Sequence, residues 1–167
     1  MVTVAAHLSS WLSATLVSRT IQTAGWFIPT LQTIHILAIA VLFSSAIVVD
    51  LRIWRLFDRE LPLKAVTQRF FPVIWPVLLV LLTTGTLLIV GEPRRSLLNS
   101  TFYLKMALLA AAVLLTAGLQ WSLSIDPNFW DKNQNRLMAG RFAATISILI
   151  WSSIIFAGRW IAYTEVG

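Results

Sequence analysis

The sequence predicts an all-α integral membrane protein, an antiparallel four-helix bundle with an N-terminal amphipathic interfacial helix. Three observations carry this reading. Hydrophobic residues make up 57% of the chain and charged residues only 12%, with a mean hydropathy of +0.78, whereas charged residues run near a quarter in soluble domains. The apolar residues gather into four long runs, each near the roughly 20 residues that cross a hydrocarbon core about 30 Å thick. The bases fall mainly between those runs, as the control of membrane topology requires. At 167 residues the chain has room for one domain.

Composition also excludes functions. There is no cysteine, so disulfides, thiolate metal sites and thiol catalysis are ruled out. The formal charge of +6 resides in short loops and does not form a nucleic-acid-binding stripe.

Residues 1–25 lack the basic start and compact apolar core of a signal peptide. Val4, Leu8, Trp11 and Leu12 fall at helical spacing, which predicts a short amphipathic helix lying in the interface. Its apolar stripe is too short to span, and Gly25 is a candidate end. His7 reads as an interfacial histidine. The first span is predicted at about 27–50, with Pro29 in its first turn, where a missing N–H costs nothing. His35, Ala38, Leu42, Ser45 and Val49 recur at 3–4 spacing. Ala38, Ser45 and Ala46 are small enough to admit a neighbouring helix, so His35 is expected to face the bundle. Asp50 and Arg52 form a polar pair at the far end, read as a capping or orientation pair.

The next connection carries Arg52, Arg55, Arg59, Lys64 and Arg69, and Leu51, Trp54 and Phe57 suggest a helical extension past the membrane. The second span is predicted at about 70–90. Pro72 opens it and Pro76 loosens its first turns. Thr83, Thr84, Gly85 and Thr86 form a small polar patch whose hydroxyls are expected to bond their own backbone. Gly91, Glu92 and Pro93 end it, followed by Arg94 and Arg95. The third span, about 102–124, has Lys105 one turn inside. Its run of small residues predicts tight packing. A polar connection with Asp126-Pro127 as a stop signal leads to the fourth span, about 142–163.

Orientation follows from the bases. The first-to-second and third-to-fourth connections hold eight Lys or Arg, so the positive-inside rule puts them in the cytoplasm, with both termini outside. His35, Thr84, Lys105, Arg159 and Arg94 then come to the outer side from four helices and one loop. A helix rises 1.5 Å per residue, which sets Asp50 about 22 Å from His35, at the opposite surface. Ionisable groups inside spans are costly and functional by default. Each also has a plainer reading. Lys105 and Arg159 can snorkel to headgroups, and His35 can simply bridge two helices.

The chemistry that unites them is cofactor binding. A neutral imidazole ligates haem iron or another metal such as copper, and cations nearer the surface hold carboxylates such as haem propionates. A b-type haem with His35 axial and Lys105, Arg159 or Arg94 on the propionates meets both requirements. A closed zinc site needs about four ligands, and the chain has two histidines and no cysteine. Neither a hydrolase triad nor a four-histidine two-haem site is present.

The pattern W-x-x-P-x-x-x-x-x-H-I-L from Trp26, V-D-L-R at 49–52, N-S-T-F-Y-L-K-M-A-L at 99–108 and the terminal G-R-W-I-A-Y resembles an uncharacterised family of small bacterial four-helix membrane proteins. Shorter stretches around His35 and Lys105 resemble the copper-resistance D membrane family and the cofactor-binding four-helix protoporphyrinogen oxidases. The latter resemblance implies a haem-ligand role for His35 and a site role for Lys105. Three functions remain open: a haem- or metal-binding protein used in electron transfer or in a redox complex; a cofactor-free accessory subunit contacting lipid, pigment, a membrane-protein partner or its own copies; and a haem-biosynthetic oxidase.

Overall fold

The structure, a computed structural model, describes residues 2–56, 63–126, 129–130 and 132–161. Its described residues form seven helices: α1 (Val2–Ala14), α2 (Leu16–Thr23), α3 (Phe27–Ile53), α4 (Leu63–Gly91), α5 (Pro93–Leu97), α6 (Ser100–Ile125) and α7 (Gln134–Trp160). Four of them, α3, α4, α6 and α7, are long and apolar enough to cross a membrane. These fit a multi-pass membrane protein with its apolar faces toward lipid.

The helices outrun the apolar stretches that reveal them. Helix α4 begins at Leu63 rather than near 70, and α7 at Gln134 rather than near 142. Hydropathy marks the part immersed in lipid, whereas caps mark where a helix starts. The Asn133 side chain accepts from the Arg136 amide at 2.9 Å, and the Asn99 side chain from the Thr101 amide at 2.9 Å. Both satisfy donors of a first turn. Pro72 and Pro76 therefore lie inside α4 and do not open it. Neither can donate to the carbonyl four residues back, a loss that neighbouring helices make tolerable. Helix α3 continues through Leu51 to Ile53, and Arg55 just beyond it adopts a positive φ of 59°. Phe57 and residues 162–163 lie outside the described residues.

The N-terminal segment is two helices and not one. The Thr15 side chain breaks it, accepting from the Ser18 amide at 3.3 Å while donating to the Leu12 carbonyl at 2.7 Å. At 13 and 8 residues neither helix reaches the length of a span. Helix α1 packs on α5, and α2 on the end of α4. There Ser18 donates to the Val90 carbonyl at 2.7 Å and Gln22 to the Gly91 carbonyl at 3.0 Å. The last carbonyls of α4, left without partners by their own helix, are thus capped by α2.

Helix α3 is the centre of the bundle, packing along both α4 and α7, and α6 packs along α7. The spacing of Ala38, Leu42, Ser45 and Val49 gives α3 one continuous buried stripe, and Ala112 of α6 and Ala144 of α7 are fully enclosed. Helices α4 and α6 meet only sparsely. Their link is the Trp75 indole N–H, which donates to the Gln120 side-chain oxygen at 2.7 Å. The small-residue run of α6, expected to pack tightly, meets α7 along one face, where Ala112 is enclosed. Ala107, Ala110, Ala111 and Gly118 are exposed, because small residues permit close approach only on a face that meets another helix.

Candidate functional site

His35 lies on the face of α3 that meets α4. Its Nδ1 is 2.7 Å from Thr84 Oγ1. The Thr84 hydroxyl points back along its own helix, 2.7 Å from the Val80 carbonyl and 3.3 Å from that of Leu81. A hydroxyl has one hydrogen. With that hydrogen directed to the Val80 carbonyl, the tautomer that satisfies both contacts is the one in which Nδ1 donates to Thr84 Oγ1. In the neutral ring this leaves Nε2 with its lone pair and no proton. One buried threonine therefore selects the tautomer and holds the ring.

Glycine makes the space. A Cβ on Gly85 would stand 3.5 Å from His35 Cε1, so the ring lies over a bare stretch of α4. Lys105 enters from α6 and lays its side chain over Gly158 of α7, where a Cβ would come within 3.2 Å of Nζ. Its ammonium is close enough to act electrostatically on the His35 ring. The half-buried imidazole and half-buried ammonium thus lie toward the same end of the bundle, on or against all four long helices. Among the described residues no carboxylate pairs with Lys105.

The other residues singled out in the sequence fall around this centre or away from it. Thr84 is buried and belongs to it. Thr83 and Thr86 bond their own helix, at 2.9 Å and 2.8 Å, and are exposed. Arg159, next to Gly158, is exposed at the end of α7. Arg94 is exposed on α5, the short helix that packs on α1. His7 is exposed on α1. Asp50 and Arg52 are both buried near the opposite end of α3, at 2% and 8% exposure. Two residues apart on a helix, they do not face each other, and the hydrogen-bond partner of the Asp50 carboxyl is Ser147 of α7.

Two contributors were not legible as such. Gly85 read only as part of a small polar patch, and Gly158 only as a letter of the terminal motif. The signal in each case is a glycine within one residue of a candidate polar group, Thr84 or Arg159, on a helix that must let another side chain lie across it.

The donor set limits what the site can hold. Among the described residues no three His, Asp or Glu side chains cluster, so a bare metal ion would find one nitrogen ligand. A porphyrin brings four nitrogen ligands of its own and asks the protein for one or two. His35 Nε2 meets that smaller demand, and Lys105 suits a carboxylate beside it.

No curated protein and no solved structure matches the sequence. Residues 8–164, which include every residue of the site, match the family of unknown function DUF6644, and the chain belongs to that family.

Proposed function

We propose that this protein is a bacterial inner-membrane haem-binding protein, used in electron transfer or as a subunit of a redox complex. The observation that supports this reading is the Thr84–His35 hydrogen bond. It fixes the imidazole with Nε2 unprotonated, the state a metal ligand requires, and such an outer partner is the usual companion of a ligating histidine. Lys105 then serves a propionate, with Arg159 and Arg94 nearer the surface as further cations. Bound there, a b-type haem supplies a one-electron couple. The chain's residues orient the ligand, neutralise the carboxylates and keep the ring out of bulk water. Copper in place of haem would need ligands beyond His35.

The count of bases orients the protein with both termini periplasmic and this site near the periplasmic face. A reporter fused after Gly167 is expected to give a periplasmic signal, and a cytoplasmic one overturns the orientation. An absorption spectrum of the native detergent extract tests the cofactor. A Soret band is expected that His35→Ala abolishes and Lys105→Ala weakens in part. Colourless wild-type protein from its own membrane overturns the reading. The thin cover on α6, only 17% buried along its apolar window, favours a second reading, a cofactor-free accessory subunit. That reading predicts a colourless protein that co-purifies with a larger complex.

A further inference from the structure

Among the described residues three side-chain nitrogen or oxygen atoms are buried without a hydrogen-bond partner: Asp50 Oδ2, Arg141 Nε and Trp151 Nε1. Asp50 and Arg141 lie where α3 meets α7, and Trp151, on α7, borders a small apolar cavity that α3, α4 and α6 also line. Ser147, which hydrogen-bonds to the Asp50 carboxyl, stands between the other two on α7. Arg141 is about 9 Å from it along the helix axis and Trp151 about 6 Å in the other direction. Arg141 reaches toward α3, with its guanidinium carbon 5.5 Å from the centre of the Trp54 ring. Trp151 shares a cavity wall with Leu42 of α3. In a bilayer, groups left this way have no solvent to turn to.

The set is one acceptor between two N–H donors, and this chemistry selects its occupant. A metal cation needs several oxygen ligands, whereas the guanidinium and the indole nitrogen offer no lone pair, and the former is itself positive. A water molecule accepts from an N–H and donates to Oδ2.

We propose that Asp50 is an exchangeable proton site, reached by water that enters the α3/α7 seam from the Arg141 end. Uptake forms an O–H bond on Oδ2 with a proton handed over by a water molecule, which is reprotonated from solvent, and release is the reverse. Among the described residues the charged groups at this end are Arg52 and Arg55 at the end of α3, Lys64 and Arg69 on α4, Arg136 and Arg141 on α7, and Asp126 with Lys132 in the α6–α7 connection. The ion pairs among the described residues, Lys132–Asp126 and Arg95–Glu92, leave Asp50 out. This site is separate from the one at His35 and stands whether or not haem binds there.

Infrared spectroscopy of the full-length protein in lipid nanodiscs tests the proposal. A carbonyl-stretch band of a protonated carboxyl group is expected to grow as pH falls, to shift in D2O and to be absent from Asp50→Asn. Ser147→Ala, which only removes a hydroxyl, should retain the band at a changed frequency. Identical titrations of wild type and Asp50→Asn overturn the proposal, as does a band that D2O leaves in place. Should Asp50→Asn fail to insert, Ser147→Ala decides: a band it does not move belongs to another residue, and the proposal falls.

Discussion

Replacing Thr84 by valine keeps the shape of the side chain and deletes one oxygen. That oxygen accepts from His35 at 2.7 Å and donates to the Val80 carbonyl at 2.7 Å. The second bond matters little for stability, because the Val80 carbonyl also receives the backbone N–H of residue 84 in the α-helical pattern. The first is a polar bond between helices, worth about 0.6 kcal/mol on average in membranes and about 1.7 at most. A fully buried N–H left alone costs about 1–3 kcal/mol, and His35 is only half-buried. The expected loss is therefore about 1 kcal/mol. The same energy biases the ring toward the Nδ1–H tautomer, and about 1.4 kcal/mol is tenfold, so the tautomer ratio should move about fivefold. Nitrogen-15 NMR of histidine-labelled protein free of cofactor reads this directly. The chain has two histidines, and His7→Gln leaves His35 as the one signal. The wild-type neutral ring should carry its proton on Nδ1, Thr84→Val should give a mixture, and Thr84→Ser should restore the original state. A proton on Nε2 in the wild type, or a ratio indifferent to Thr84→Val, refutes the assignment of roles in this contact.

Other consequences are independent of that bond. Leucine at Gly158 should displace the Lys105 ammonium, since even a Cβ would stand 3.2 Å from it. With three lysines in the chain, the reactivity of Lys105 toward a water-soluble amine reagent can be followed by mass spectrometry, and unchanged reactivity in Gly158→Leu contradicts the placement. Ser18→Ala should free the Val90 carbonyl at a cost of about 1 kcal/mol, seen as faster amide exchange across α2. Exchange equal to wild type would mean that the cap does not hold α2 in place. Trp75→Phe removes the bond to Gln120 and should cost about 0.6 kcal/mol while broadening a spin-label distance measured between α4 and α6. An unchanged distribution would mean that the sparse seam is held by something else.

The sequence made the spans and the central stripe legible because lipid imposes a strong constraint on composition, and a helix buries residues at a fixed spacing. Ala38, Leu42, Ser45 and Val49 were readable for that reason, and all four are buried. Helix ends were less legible, since Asn99 and Asn133 mark them with a single side chain each. The break at Thr15 is of the same kind. The pairing of His35 with Thr84 was not readable, although each was a candidate, because register between two helices depends on packing along their whole length. The partner of Asp50 was hidden for another reason. Ser147 is one of several serines in an apolar run, and nothing local distinguishes the one that meets a carboxyl. The small residues of α6 predicted close packing but not which face would have a neighbour, and the buried face is that of Ala112.

The two polar centres share one helix, and its geometry accounts for their different neighbours. Fifteen residues separate His35 from Asp50, which at 3.6 residues per turn is about four turns and 60°. That residual rotation carries the polar face from α4, where His35 meets Thr84, round to α7, where Asp50 meets Ser147. Helix α3 packs along both, so one helix can bury an imidazole against one neighbour and a carboxyl against the other. Between the two centres lie Ala38, Ser45 and Ala46, all buried, where a larger side chain would force a neighbour outward. Overpacking a core costs about 1–3 kcal/mol by displacing side chains and backbone. Here the displacement would reach both ends, because both polar contacts depend on the depth at which α3 sits between α4 and α7. A change at Lys105 or Gly158, on the α6–α7 side, reaches only the His35 end. The small residues of α3 therefore hold two chemically unrelated sites to a single helix position.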